Sequence, residues 1–304
     1  MDPKILQFNA KFYLILLISF ALGVNNYAQI NNPEIELIDI KQLHGDHKNQ
    51  FDLSGIVQTN NKLYVVANQH WNNYIYEIEL KGDFWNIKNS VPLGLTDPIA
   101  LEGLDYYNNG FYIINEKGNL IYVLAHNGKM TFVNVDYSNV ESNLASHIKN
   151  AGLSAIAIND QDTLLYLSKR NNSRYLIEVD LNHGKVNELF DVPESEGRNF
   201  CDMKFENNFL YLLDSRNDDI IKLDIKTKEI INKVSYRKSS TTLEGKILEK
   251  QSQFGAAGAL LLTKNEIWIG IDDRTGRAPR TTDNEGIGSV NRPAILRFKR
   301  PSWF

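Results

Sequence analysis

LEGLDYYNNGFYIINEKGNLIYVLAHNGKMTFVNV, residues 101–135, is one cycle of apolar-aromatic strand segments joined by polar turns. Asn108-Asn109-Gly110 and His126-Asn127-Gly128 are its turn signals, because Asn and Gly tolerate the backbone angles of tight hairpins. The opening step, a small polar residue inside an apolar run, recurs in LSGIVQTNNKLYVV, LSAIAINDQDTLLYLS, FCDMKFENNFLYLLD and GALLLTKNEIWIGID. The five anchors are Ser54, Glu102, Ser154, Cys201 and Gly258, spaced by 48, 52, 47 and 57 residues. A repeat near 50 residues in an all-strand chain is the pattern of a β-propeller, with one blade per repeat. The sequence therefore predicts an all-β, five-bladed propeller.

Turn chemistry divides the first cycle into strand A at Ser54–Gln58, strand B at Lys62–Asn68, strand C at Tyr74–Leu80 and strand D near Phe84–Pro92. Matching turns fall at Asn159-Asp160, Asn182-His183-Gly184, Asn207-Asn208 and Lys226-Thr227. The fifth cycle supplies only A (Gly258–Leu262), B (Glu266–Ile271) and C (Ala294–Lys299). An orphan strand, EIELIDI (Glu34–Ile40), precedes the first cycle. Its pairing with the last blade is expected to close the ring and remove an open edge.

Residues 1–28 read differently. Lys4 and Lys11 precede a 13-residue apolar run, FYLILLISFALGV (Phe12–Val24), and Ala28 offers a small residue for cleavage. That pattern predicts a signal peptide over 1–28 and a single propeller domain over 29–304, exported to the periplasm or secreted, with no membrane span in the mature chain. The formal charge of −4 shows no basic stripe, so nucleic acid is not an expected partner. Cys201 is the one cysteine, so no intrachain disulfide is available, and its neighbours Phe200 and Met203 favour a packed thiol.

In a propeller, strand A is innermost and antiparallel to strand B. The starts of the A strands and the ends of the B strands therefore meet on one face, around the axis. An inner ring of Ser54, Glu102, Ser154, Cys201 with Asp202, and Gly258 is expected there. Together with backbone carbonyls, Glu102, Ser54 and Ser154 resemble the oxygen-rich donor set that Ca2+ prefers, which makes Ca2+ a candidate cofactor; the alternative is a solvated acid in a watery channel. A second ring gathers Asn68, Glu116, Lys117, Lys169, Arg170, Asp214, Arg216, Asp272, Asp273 and Arg274 as candidate ligand-binding residues. Its cations suit a phosphate or carboxylate, or else pair with the neighbouring acids. His70, His147 and Arg170 are the catalytic candidates, the two histidines as general bases. His126 and His183 fall on the opposite face. The insertion Asp272–Val290 lies on the site face, as a specificity loop or a tolerated hairpin. GxSxG, HExxH, P-loop and CxxC motifs are absent from the sequence, so nucleophilic catalysis has no motif behind it.

The succession DLSGI, KLYVVANQ, IYEIEL, then DPIALEGLDYYNNGFYIINEKGNLIYVL, then GLSAIAI, TLLYLSKR and YLIEVDL resembles the SdiA-regulated propeller family and the related esterase-like phytase group. The resemblance covers roughly residues 50–235 and implies either no defined activity or phosphoester or ester hydrolysis. Family blades repeat a Glu-Gly step, kept here at Glu102-Gly103 and replaced at Ser154-Ala155 and Ala257-Gly258. The string DDRTG (Asp272–Gly276) is similar to one in calcium-activated nucleotidases, where it occupies a different blade. Two functions remain open: a scaffold for a small-molecule, phosphoester or glycan ligand or for a protein partner, and a Ca2+-dependent hydrolase.

Overall fold

A computed structural model describes residues 32–44, 51–68, 73–95, 100–115, 120–140, 152–161, 164–169, 175–194, 198–237, 257–271 and 293–304. Two units separate along the chain, Met1–Pro33 and Glu34–Phe304. The expected signal peptide lies outside the described residues.

Every regular element among the described residues is a strand. Blade 1 is β2 (Leu53–Thr59), β3 (Lys62–Ala67), β4 (Tyr74–Lys81) and β5 (Phe84–Pro92); blade 2 is β6 (Leu101–Tyr107), β7 (Gly110–Asn115), β8 (Leu120–Ala125) and β9 (Met130–Asn134). Blade 3 is β10 (Leu153–Asn159), β11 (Leu164–Lys169), β12 (Tyr175–Asp180) and β13 (Val186–Asp191). Blade 4 is β14 (Phe200–Glu206), β15 (Phe209–Asp214), β16 (Asp219–Asp224) and β17 (Ile230–Ser235). Blade 5 takes β18 (Ala257–Leu262), β19 (Glu266–Ile271) and β20 (Ala294–Lys299) from the end of the chain, and β1 (Leu37–His44) from its beginning.

β1 runs antiparallel to β20, with Lys41 opposite Ile295. Its last residues also lie parallel to β5, Leu43 beside Trp85 and His44 beside Asn86, so blades 5 and 1 form one eight-stranded sheet. The strand sits later than the expected Glu34–Ile40. Glu34 instead bridges Ser235 of blade 4, and the Ile35 amide donates to the Ser235 carbonyl at 2.9 Å.

Local chemistry explains the hairpins. Asn60-Asn61, Asn108-Asn109 and Asn207-Asn208 all have positive φ, between 46° and 69°, as a type I′ turn requires at both central positions. Gly82, Gly128 and Gly184 take the left-handed turn position in the C–D hairpins of blades 1–3, and Lys228 takes it in blade 4. Asp180 and Asp224 accept from the amides two and three residues on, which fixes those turns.

Alternating apolar side chains pack face to face, one cluster between each neighbouring pair of blades. The inner strands follow one another in order, β2 beside β6, then β10, β14 and β18, and β18 lies beside β2 again. The five blades therefore close a ring about an axis.

Each of the five anchor residues coincides with a break in A–B register. The pairing skips between Leu53 and Gly55, Leu101 and Leu104, Leu153 and Ala155, Phe200 and Asp202, and Ala257 and Ala259. A β-bulge places an extra residue on one strand and re-aims its side chain. The small polar step that defined the repeat is thus the bulge itself. The glycine that follows has a packing role. A Cβ at Gly55 would lie 2.7 Å from the Leu104 amide nitrogen, and one at Gly103 would lie 2.9 Å from Ile156 Cγ2. Inner strands of neighbouring blades approach too closely there for a side chain.

Candidate functional site: the axial face and channel

An innermost strand has one edge with no strand partner, so its backbone groups need other partners. Around this axis the partners are side chains of the preceding blade. Ser54 of blade 1 donates its hydroxyl proton to the Leu101 carbonyl of blade 2 at 2.7 Å. Asp105 of blade 2 accepts from the Ile158 amide of blade 3 at 2.8 Å. Ser154 and Ser168 of blade 3 share a 2.8 Å hydroxyl contact and lie 3.0 and 3.2 Å from the Phe200 carbonyl of blade 4, which accepts from the pair. Asp202 of blade 4 accepts from the Leu260 amide of blade 5 at 2.7 Å.

At the mouth, the bulge residue Glu102 is 7% exposed, and its Oε1 accepts from the Asn68 side-chain amide of blade 1. This is the point where the two rings expected from the sequence meet: a start of strand A on one blade and an end of strand B on the blade before it. Ser54 donates to the Leu101 carbonyl, and Ser154 contacts the Ser168 hydroxyl and the Phe200 carbonyl; the serine oxygens keep lone pairs that, like the Glu102 carboxylate, are hard donors of the kind that suit Ca2+. Among the described residues no three of His, Cys, Asp and Glu gather as a metal-holding group.

Deeper along the inner strands lies a charged group of which the sequence reading named Asp202, in the inner ring beside Cys201, but neither Lys204 nor Asp105. Asp202 is fully buried, and its oxygens accept from the Leu260 amide, the Met203 amide at 2.8 Å and Lys204 Nζ at 3.3 Å. Lys204 Nζ also donates to the Leu104 carbonyl of blade 2 at 2.9 Å, across the axis from its own blade 4. Burial pushes the Asp202 carboxyl up to about 7, opposed by Lys204 and the two amides. Burial also raises Asp105, again with Lys204 as the main opposing charge. Sequence alternation marks these three as polar residues on inner strands; what it does not carry is their convergence from non-adjacent blades.

The described rim residues cluster on blade 4. Asp214, at the end of β15, accepts from Arg198 Nη1 at 2.7 Å, Asn217 Nδ2 at 2.7 Å and the Asn199 amide at 3.0 Å. Arg198 also donates from Nε to the Glu194 carbonyl at 2.8 Å and reaches Asp219 at 3.5 Å. Both oxygens of Asp214 are therefore engaged in shaping the B–C loop, while the Arg216 side chain is exposed and its amide donates to Asp214. Arg198 was not among the expected residues. His70, His147, Arg170, Glu116, Asp272, Asp273 and Arg274, and the side chain of Lys169, lie outside the described residues. His183 sits in a C–D turn, with Nδ1 2.9 Å from Asp180 Oδ2.

One solved structure shares this fold. The glutaminyl cyclase of Myxococcus xanthus superposes with a TM-score of 0.59 at 10% identity, covering 88% of this chain and 97% of that one. A virginiamycin B lyase of Staphylococcus aureus gives 0.49 at 11% identity, covering 86% of this chain and 99% of that one. At 10% identity the likeness to the glutaminyl cyclase concerns the fold alone. A curated Arabidopsis thaliana protein, named as an F-box only protein 11, is 26% identical over 223 residues, 64% of this chain and 60% of that protein. The chain thus spans less than two thirds of that relative's length. The SdiA-regulated family profile matches residues 30–252, which is most of the chain, and the protein belongs to the SdiA-regulated family.

Proposed function

We propose that this protein is an exported binding scaffold. It holds a small-molecule, phosphoester or glycan ligand, or a protein partner, on the face where the A strands begin. The observation that carries this reading is the commitment of the axial polar groups to the frame. Ser54 gives its proton to a carbonyl of the next blade, and Ser154 is held between the Ser168 hydroxyl and the Phe200 carbonyl, so neither hydroxyl contacts a general base. Recognition then falls to the B–C loops and the Asp272–Val290 insertion, in keeping with the usual division between rigid scaffold and variable loop.

The test is a binding screen of phosphoester, glycan and peptide ligands by thermal shift, followed by calorimetry on the hits. Deleting Asp273–Gly288 is expected to abolish binding, while Glu102→Ala leaves it nearly intact. The reverse pattern would move recognition to the mouth.

The second reading, a Ca2+-dependent phosphoester or ester hydrolase, rests on Glu102, a carboxylate withdrawn from water at the axial opening. It predicts chelator-sensitive turnover of generic phosphate and acetate esters and calorimetric Ca2+ binding that Glu102→Ala removes. Absence of both leaves the scaffold reading standing alone.

A further inference from the structure

The interior of the axis already holds a cation. Lys204 Nζ, on a side chain 9% exposed, lies 3.3 Å from Asp202 Oδ1 and 2.9 Å from the Leu104 carbonyl, and Asp105 is close enough to feel its charge. A buried carboxylate (Asp202), a half-buried one (Asp105) and an inner-edge carbonyl from a non-adjacent blade are hard-oxygen groups of the kind that hold an alkali or alkaline-earth ion. Here they surround an ammonium tethered to blade 4 instead.

We propose that Lys204 is the protein's own axial cation: its ammonium occupies a central oxygen-donor site, made by Asp202 and the Leu104 carbonyl with Asp105 beside them, that would otherwise take a free metal ion. The consequence is a ring whose centre closes without metal. A single positive charge joins blades 2 and 4 and offsets carboxylates that themselves cap blades 3 and 5. An uncompensated buried charge is strongly destabilising, whereas replacing a whole buried pair by neutral groups is often tolerated. That asymmetry makes the proposal testable. The site is distinct from any Ca2+ at the mouth, where Glu102 is the carboxylate.

The experiment compares thermal unfolding of the full chain and of Lys204→Ala, each in chelator, in millimolar Ca2+ and in propylammonium, all in a Glu102→Ala background that silences the mouth. The Lys204 form is expected to melt at the same temperature in all three conditions. Lys204→Ala is expected to melt lower in chelator and to recover at least half of that loss when Ca2+ or propylammonium fills the space. Equal melting of the two proteins in chelator, or a loss that neither cation reverses, overturns the proposal. If Lys204→Ala is insoluble, its recovery from expression is measured with and without propylammonium. Recovery only with the cation supports the tethered-ion role, and failure under both conditions counts against it. The double variant Asp202→Asn with Lys204→Met is expected to fold and to ignore every cation; a cation response in that protein would also overturn the proposal.

Discussion

The inner and outer edges of the blades solve one problem in two ways. Both present unpaired backbone groups, which invite unwanted pairing if left open. The inner edge is capped by particular side chains of the preceding blade: Ser54, Asp105, Ser154 and Asp202. The outer edge is met by backbone. β1 lies along β5, the Asp136 amide donates to the Gly184 carbonyl at 2.8 Å with Val186 returning the bond at 3.0 Å, and Ile35 reaches Ser235. The inner solution depends on residue identity and the outer one hardly at all. Polar residues on the axis of this fold are therefore first of all parts of its frame, and a polar axial residue is weak evidence for chemistry.

This contrast can be broken most severely at Asp202. Asp202→Ala removes the partner of the Leu260 amide and the paired carboxylate of the Lys204 ammonium, and is expected to cost about 3–5 kcal/mol in urea denaturation. The same residue sets a pH dependence. Its folded-state value, about 7, lies above the ordinary carboxylate value of 3.8, so the folded state binds the proton more tightly than the unfolded chain does. The stability it contributes is complete below about 4 and is lost as pH rises toward 7. Denaturation midpoints measured across that window are expected to fall with pH, and Asp202→Asn is expected to flatten this component. Next in size is Gly55→Val, which drives a side chain against Leu104 of blade 2 and is expected to cost about 1–3 kcal/mol. Ser54→Ala, which leaves the Leu101 carbonyl without its cap, is expected to cost about 1 kcal/mol. The outer edge supplies the control. Phe132 on β9 is 66% exposed, and Phe132→Ser is expected to change stability by less than about 0.5 kcal/mol. A larger loss at Phe132 than at Ser54 would reverse the comparison.

How much of this was legible in the sequence follows from the range of each interaction. The Asn-Asn hairpins were readable because positive φ at two successive residues is a local demand that few residue types meet. The repeat anchors were readable as positions, yet their meaning was not. A bulge is a property of two paired strands, and the small residues that tolerate one also fit a ligand-lined channel. Closure by the N-terminal strand was anticipated, although the pairing segment lies several residues later, because Glu34 and Ile35 are drawn to blade 4. Arg198 and Lys204 went unremarked for a plain reason. Lys204 meets Leu104 across 100 residues and Arg198 meets Asp214 across 16, and neither spacing has a periodic signature.

The double attachment of β1 has a consequence for the order of events during synthesis. Lys41 waits for Ile295, and Leu43 waits for Trp85. β1 is made before the blades, yet its main partner β20 is made after the first four of them, so a ribosome-bound chain remains an unfinished arc while those four emerge. Contacts of such sequence separation are slow to form and leave intermediates exposed. Swift protease digestion of the nascent arc, giving way to resistance only once the final blade has emerged, is the behaviour this keystone dictates.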